Sequence, residues 1–303
     1  MGELRIGEAL ISDMSDGDLI AWMDTHTERR LRDSTAALWL AIMRALDQDG
    51  IPATVRHLFY VAAGLGLVHK SDAGYQTVDY HLRVMRRCEA IPYSFLADHN
   101  RRRRKPQTWG DLGTYFEHGR LAYRRALWDT QRDYVEIWCE KDAIAGVLYD
   151  VTGEWDVSLM TVRGYTSDTF AFESAEAIKE QGKPTYIYYF GDWDPSGAHI
   201  AQDLERKLRE FGAVFDFERV AIQPWQIAAW GLPTRPAKGK GPRAKGWAGP
   251  CVEIDALSSK RLRALCQEVI ERHIDAKALA DVRQTEQLER AALADVAQSW
   301  AAR

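Results

Sequence analysis

The fold predicted for this chain is decided by the stretch Tyr186-Ile187-Tyr188-Tyr189-Phe190-Gly191-Asp192-Trp193-Asp194-Pro195-Ser196-Gly197. Its apolar first half predicts a short buried strand, and the glycine turn and Pro195 lead into a helix. Residues i and i+2 of an extended segment face the same way, so Asp192 and Asp194 are expected on one side. Two carboxylates this close repel each other unless a cation lies between them, and oxygen ligands suit Mg²⁺. The alternative is that both aspartates only form a turn and a helix cap.

Around this stretch, strands alternate with helices through the second half of the chain. Strands are predicted at 134–139, 157–162, 185–190 and 217–222. Strand–helix alternation predicts a parallel α/β sheet with helices on both faces, and ligands bind at the carboxyl ends of such strands. Glu140 follows the first strand, so we expect it to join Asp192 and Asp194 around one Mg²⁺ ion.

The chain after the sheet is harder to interpret. Residues 231–250 contain nine Gly or Pro residues, and all five charges are positive, which indicates a basic loop that is either a linker or a contact with DNA; the second is favoured. Glu253 and Asp255 alternate with apolar neighbours, and we interpret them as exposed strand residues rather than members of the acidic cluster. A last helix at 276–301 predicts a packing or dimer contact.

The first half of the chain is predicted to be helical. Ser34 is expected to cap one helix, Thr54 the next at 55–63, and a third is predicted at 77–88. A strand at 91–97 would complete a winged helix-turn-helix, and a basic helix is expected at 114–130. The basic side chains expected to bind DNA phosphates are Arg83, Arg86, Arg87, Arg101, Arg102, Arg103, Arg104 and Lys105.

Arg56 and Tyr60 are four residues apart and therefore lie on one face of the predicted helix. A guanidinium beside a phenol favours the phenolate, which is the better nucleophile. The spacing alone favours a simpler interpretation, in which Tyr60 is a core aromatic residue and Arg56 lies on the surface.

Length and charge limit the possible classes. The 303 residues allow two domains of ordinary size, and no apolar run reaches the ~18 residues of a membrane span. Four cysteines without CxxC spacing favour a reducing cytoplasm. Residues 1–50 carry 5 basic and 10 acidic side chains, whereas residues 51–132 carry 14 and 7, so one face is expected to meet a polyanion. We predict a helical segment at 1–50, a DNA-binding domain at 51–132 and a metal-binding domain at 133–303.

Taken together, these motifs resemble the catalytic A subunit of type IIB DNA topoisomerases (topoisomerase VI) and the related meiotic double-strand-break transesterase. The resemblance covers about residues 35–275. Thr54-Val55-Arg56-His57-Leu58-Phe59-Tyr60 is similar to the catalytic-tyrosine helix of the family's winged-helix domain. Glu140-Lys141, Gly164-Tyr165 and the Gly191–Gly197 stretch are similar to its Toprim domain, a Rossmann-like parallel sheet, and Val252-Glu253-Ile254-Asp255-Ala256-Leu257 to its later acidic segment.

The resemblance implies that Tyr60 attacks a DNA phosphodiester and becomes joined to the 5′ end of the break. Mg²⁺ would be held by Glu140, Asp192 and Asp194, Arg56 would hold the phosphate, and Glu140 is also a possible acid or base. The partners implied are double-stranded DNA and a second copy of the chain, with a separate ATPase subunit left open. A location in the cytoplasm is expected.

Three departures from the family are present. The helix after Gly164-Tyr165 lacks the usual arginine, the N-terminal region is short, and residues 231–250 are unlike those of the archaeal enzymes. The chain looks more like the compact mini-A form of bacteria and phages.

Two other functions stay open: a Toprim nuclease that uses metal-activated water, as in a relative of the Wadjet defence nuclease, and a non-catalytic DNA-binding assembly protein.

Overall fold

The structure, a computed structural model, describes residues 5–6, 9–28, 30–96, 106–236, 247 and 249–301. These described residues contain six strands: β1 (Arg5–Ile6), β2 (Ala9–Leu10), β3 (Tyr134–Cys139), β4 (Ser158–Thr161), β5 (Thr185–Phe190) and β6 (Asp216–Ala221). The helices are α1 (Asp16–Thr27), α2 (Asp33–Asp49), α3 (Val55–Gly64), α4 (Asp72–Arg87), α5 (Leu112–Ala122), α6 (Asp142–Glu154), α7 (Asp168–Gln181), α8 (Pro195–Glu210), α9 (Pro224–Ala229), α10 (Ser259–Glu271) and α11 (Ala276–Ala301).

The second half of the chain forms a four-stranded sheet in the order β4-β3-β5-β6, in which every neighbouring pair is parallel. The predicted α/β fold class and its four strands are therefore confirmed, with ends shifted by no more than one residue. Strands β3 and β5 are paired from Tyr134↔Thr185 to Cys139↔Phe190. Because the two strands end level with each other, Glu140 and Gly191 leave the sheet at the same edge.

Each face of this sheet is covered by helices. Side chains that alternate along a strand point to opposite faces, so in β3 Ile137 packs with α6 and α10, and Trp138 packs with α7 and α8. Both residues are fully buried. The sheet is therefore a central layer between two apolar cores, as its nearly continuous hydrophobic strands indicate.

The N-terminal helices α1 to α4 share a separate core. Its members run from Ile6 to Leu96, including Trp39 of α2 and Leu58 of α3. The hydroxyl of Thr54 accepts a hydrogen bond from the amide of His57, which confirms this residue as the cap of α3. At α2 the prediction was wrong, since the helix begins at Asp33, one residue before Ser34.

The predicted wing strand is not found within residues 91–96. This segment contains a single turn of 3-10 helix, Tyr93–Phe95, and one isolated bridge between Ala53 and Leu96. The rest of the expected wing, 97–105, lies outside the described residues, and with it Arg101, Arg102, Arg103, Arg104 and Lys105. The helical part of the predicted motif is present, and the wing stays a prediction.

Helix α5 is shorter than the helix predicted at 114–130, because the chain leaves the helical path at Tyr123 to pack against α11. The carbonyl of Tyr123 accepts hydrogen bonds from the Arg290 guanidinium, and its hydroxyl donates to Glu289 at 2.6 Å. The interpretation of the last helix as a packing helix is thus supported by its contacts. None of the described helices is both long and apolar enough to span a membrane.

A close backbone contact at Gly74 gives a stability test of the α3–α4 pair. A Cβ at this position would lie 2.0 Å from the carbonyl oxygen of His69. We expect Gly74→Ala to lower the free energy of unfolding by about 1–3 kcal/mol, because the helix must shift to make room. The measurement is urea denaturation followed by circular dichroism.

Gly119→Ala in α5 is the matched control, since no atom lies within 4 Å of a Cβ there. Replacing this helical glycine is expected to raise stability by about 0.5–1 kcal/mol. Equal effects of the two substitutions would contradict the contact at Gly74.

Candidate active site

Two of the predicted acids meet where β3 and β5 end. The backbone N–H of Asp192 donates to Oε2 of Glu140 at 3.0 Å. Only glycine fits between them, since a Cβ on Gly191 would lie 2.9 Å from the same oxygen and 2.5 Å from the Tyr189 ring. Burial and the neighbouring charge of Asp192 raise the pKa of Glu140 to about 7. This carboxyl group therefore exchanges its proton near neutral pH.

Asp192 is buried and holds two donors on one oxygen. Its Oδ1 accepts from the backbone N–H of Ile254 and from the ammonium of Lys141, both at 2.9 Å. Burial raises the pKa of Asp192, although Lys141 and the N–H of Ile254 oppose this effect. Its other oxygen, Oδ2, has no hydrogen-bond donor among the described residues.

Asp194 faces different partners. Its Oδ1 accepts from the backbone N–H groups of Ser196 and Gly197, so it caps α8, as the alternative interpretation of this aspartate expected. Its Oδ2 accepts from the Arg235 guanidinium at 3.0 Å. Both oxygens of Asp194 thus accept hydrogen bonds from protein donors, whereas Glu140 and Asp192 each have one oxygen without a donor among the described residues.

Glu253 and Asp255 belong to the cluster, so their interpretation as exposed strand residues was wrong. They are only 9% and 3% exposed. The chain returns from the basic loop and pairs Val252 with Trp193, which places the acidic segment against the end of β5. Asp255 lies in a turn of 3-10 helix rather than a strand, so alternation with apolar neighbours did not indicate its environment.

The ammonium of Lys141 connects three of these carboxylates. It lies 2.9 Å from Asp255, 2.9 Å from Asp192 and 4.0 Å from Glu253. Burial acts to lower the pKa of Lys141, but the charges of Asp255 and Asp192 outweigh burial and raise it. In return, Lys141 keeps the pKa of Asp255 below its ordinary value although this carboxyl group is fully enclosed. Each group thus stabilises the charged form of the other.

Asp255 also fixes the start of α3. Its carboxylate accepts from the hydroxyl of Thr54 at 2.9 Å, and its backbone carbonyl lies 3.2 Å from Nδ1 of His57. The other ring nitrogen of His57 lies 3.0 Å from Asp49. The helix that bears Arg56 and Tyr60 is therefore tied to the acidic cluster by buried polar contacts.

Tyr60 is buried beside this cluster. Burial and the charge of Glu253 raise its pKa to about 12, and Arg56 and Lys141 oppose the shift without cancelling it. The expected effect of Arg56 on the phenol is therefore present, but burial and Glu253 outweigh it. Arg56 itself forms an ion pair with Glu253 at 3.2 Å and lies over the Tyr75 ring.

An open cleft of about 460 Å³ lies between the two halves. Arg56 and Tyr75 line it from the helical side, and Lys141, Asp192 and Glu253 from the sheet side. Tyr60 does not line this cleft. The ammonium of Lys70 lies 5.3 Å from the Tyr60 ring centroid and donates to the carbonyl of Thr234.

The described part of the expected DNA-binding set lies on α4. Arg83 and Arg87 are exposed, and Arg83 pairs with Asp79 on the same helix at 3.2 Å. Arg86 is half-buried over the ring of Tyr93. An exposed pair of this kind contributes little to stability, so the fold does not depend on the Arg83 guanidinium.

No protein-family model matches the chain, and no curated protein matches its sequence. The chemistry of the site therefore has to be inferred from its own residues.

Several residues of the site were not predicted from the sequence. Lys141 was noted only beside Glu140, and Arg235 only as one charge of the basic loop. Arg235 lies 3.5 Å from Glu253 in addition to its contact with Asp194. The available signal was charge balance, because a buried group of acids needs cations close by.

The acidic cluster has carboxylate oxygens of the kind that bind a divalent ion. Within the part of the chain that is described, no three His, Cys, Asp or Glu side chains come together in the arrangement of a metal site. Nevertheless Oε1 of Glu140 and Oδ2 of Asp192 have no donor among the described residues. Carboxylate oxygens without protein donors suit Mg²⁺. Glu140 and Asp192 each keep one such oxygen, and Asp194 would have to release Arg235 before it could join them.

The raised pKa of Glu140 predicts how stability depends on pH. Its ordinary value is 4.5 and its value in the fold is about 7, so between these limits the folded state binds more protons than the unfolded state. Stability contributed by this group is present below about pH 4.5 and is lost as pH rises to about 7. In EDTA, we expect Glu140→Gln to be more stable than wild type by up to roughly 3 kcal/mol at pH 8 and by much less at pH 5.

Denaturant unfolding at the two pH values measures this difference. Glu173→Gln, at an exposed position on α7, is the control and should follow wild type at both pH values. A Glu140→Gln variant whose stability relative to wild type is the same at pH 5 and pH 8 would contradict the raised pKa of Glu140.

Proposed function

We propose that this protein cleaves double-stranded DNA by transesterification, with Tyr60 as the nucleophile and the acidic cluster as a Mg²⁺ site. The observation that carries the proposal is the meeting of two sets of groups: the phenol of Tyr60 is within the electrostatic influence of Glu253, Arg56 and Lys141. We further infer that the helical half is of winged-helix type and the sheet half of Toprim type, as in the type IIB topoisomerase A subunit.

The proposed reaction exchanges one ester for another. The phenolic oxygen of Tyr60 forms a bond to phosphorus, the bond from phosphorus to the 3′ oxygen breaks, and the 5′ end stays attached to the protein. Because the pKa of Tyr60 is raised to about 12, its proton must pass to a base during attack. Glu253 is suited to accept it, since its charge and its hydrogen bond with the phenol both act on Tyr60, while its Oε2 also pairs with Arg56 at 3.2 Å.

The leaving 3′ oxygen requires a proton in return. Glu140 is a candidate for supplying it only while its carboxyl group is not bound to the ion, since its pKa, raised to about 7, then leaves it protonated in a substantial fraction of molecules at neutral pH. Arg56 lines the cleft and is suited to hold the phosphate with its planar donors. A Mg²⁺ ion held by Glu140, Asp192 and Asp194 would neutralise charge on the phosphate.

Access to Tyr60 requires a movement, because its side chain is buried and Lys70 lies over its ring. The ammonium of Lys70 is a group that DNA would attract, and Arg83, Arg86 and Arg87 on α4 are suited to hold the phosphates of the duplex. Cleavage of both strands requires two such sites, so we include a homodimer, acting in the cytoplasm, in the proposal. A separate ATPase subunit is left open.

A metal-dependent nuclease without a covalent intermediate is the second candidate. It is favoured by the burial of Tyr60 and by its raised pKa, both of which suit a structural tyrosine. In that case water in the open cleft would attack the phosphodiester, and Tyr60 would only support α3 and Glu253.

Tyr60→Phe separates the two functions. For transesterification, we expect the substitution to reduce cleavage of supercoiled plasmid in Mg²⁺ by at least roughly 10³-fold, because no nucleophile remains. Reactions stopped with denaturant should show protein attached to DNA 5′ ends with wild type and none with the variant. Retained cleavage without attached protein would establish the hydrolytic candidate instead.

Tyr149→Phe is the matched control, because Tyr149 is 61% exposed on α6, and it should cleave as wild type does. Asp192→Asn tests the shared part of both candidates and should abolish cleavage by either route. If wild type itself leaves the plasmid intact in Mg²⁺, both catalytic candidates fail and a DNA-binding role is left.

A further inference from the structure

A second pocket lies in the helical half, away from the acidic cluster. It has a volume of about 280 Å³ and is enclosed by the end of α1, the start of α2 and the middle of α4. This volume is near the lower limit for small-molecule sites. None of the nine described residues that line it is acidic, although residues 1–50 carry 10 acidic side chains against 5 basic ones.

The pocket offers positive charge that the fold does not use. Arg30 and Arg32 both line it, both are exposed, and neither forms an ion pair with a described residue. Arg32 is also the residue before α2, and no side chain caps this 17-residue helix. Two guanidinium groups and a helix N-terminus at one pocket favour a phosphate group.

The pocket also contains an exposed aromatic ring. Tyr80 on α4 lines the pocket and is 57% exposed. A large aromatic ring left this exposed provides a face on which a planar base stacks. Leu31, Trp39 and Val84 add apolar surface to the lining.

His81 supplies a defined hydrogen-bond donor. Its Nδ1 lies 3.0 Å from Nε1 of Trp39. An indole N–H can only donate, so Nδ1 is the acceptor and, in the neutral ring, the proton is on Nε2. Burial lowers the pKa of His81, which favours the neutral ring. This Nε2–H has no partner among the described residues and can meet an acceptor on a base.

We propose that this pocket binds a nucleotide, with the phosphate at Arg30 and Arg32 and the base against Tyr80. The nucleotide is either a free mononucleotide or an unpaired nucleotide of a DNA strand, since both present the same groups. This site is separate from the acidic cluster, and the proposal does not depend on DNA cleavage.

Isothermal titration calorimetry with deoxyadenosine 5′-monophosphate tests the proposal. The protein is used in EDTA with Tyr60→Phe as background, so that cleavage plays no part. We expect saturable binding, with inorganic phosphate and deoxyadenosine each binding at least tenfold more weakly. Arg30→Ala combined with Arg32→Ala should weaken binding at least tenfold, and Tyr80→Ala about fivefold or more.

The controls are Arg206→Ala on α8 and Tyr149→Ala on α6, which remove a guanidinium group and a phenol ring far along the chain from the pocket. Their affinity for the nucleotide should be within twofold of that of the background protein. Circular dichroism melting of each variant shows whether it is folded. Absence of saturable binding would overturn the proposal. Inorganic phosphate that binds as tightly as the nucleotide, or folded pocket variants that bind normally, would overturn it equally.

A labelled oligothymidylate distinguishes the two sources. If the pocket variants also weaken its binding tenfold, and the mononucleotide competes with it, the natural ligand is a nucleotide within a strand. If oligonucleotide binding is unchanged while mononucleotide binding is lost, the pocket serves a free nucleotide. Both results support the proposal and differ only in the source of the ligand.

Discussion

The ammonium of Lys141, held between Asp255 and Asp192, is the contact on which the arrangement of this protein depends. Asp255 is fully enclosed, and an enclosed carboxylate without a cation is costly. Lys141 follows Glu140 directly at the end of β3, Asp192 follows β5, and Asp255 comes from the segment after the basic loop. One side chain thus joins three parts of the chain that are distant in sequence.

The same contact determines where the helical half sits. The carboxylate of Asp255 also accepts a hydrogen bond from the hydroxyl of Thr54, and its backbone carbonyl contacts His57. Helix α3 therefore begins at a point set by the edge of the sheet, and Tyr60, two turns further on, lies against Glu253. A buried polar network of this kind fixes relative position more sharply than apolar packing does, because each hydrogen bond requires a short distance and a defined direction.

Patterns of hydrophobicity were enough to predict the sheet, since the central strands β3 and β5 are mostly apolar and α7 and α8 each begin after a capping side chain. They also placed Glu140 and Asp192 at one edge, because parallel strands that pair in register end together. They could not place Glu253 and Asp255. An acid that alternates with apolar residues looks the same in an exposed strand as in a buried turn, and only the bridge from Val252 to Trp193 decides between them.

The behaviour of Tyr60 has the same origin. Spacing along α3 correctly predicts that Arg56 is close enough to favour the phenolate. Local spacing carries no information about burial or about Glu253, and these two effects determine the direction of the pKa shift. A neighbour four residues away on a helix therefore indicates one contribution to a pKa, and the tertiary contacts decide the outcome.

The balance of charge in the cluster explains why Glu140 differs from the other acids. Five carboxyl groups meet here, and the ion pairs come from three side chains, namely Lys141, Arg235 and Arg56. Arg219 adds positive charge nearby, but its hydrogen bonds go to backbone carbonyls. Negative charge is left over, and it falls on Glu140, which has no ion-pair partner among the described residues. A proton can neutralise it, and in the proposed metal site a divalent cation would take the place of that proton, so metal binding there would release a proton.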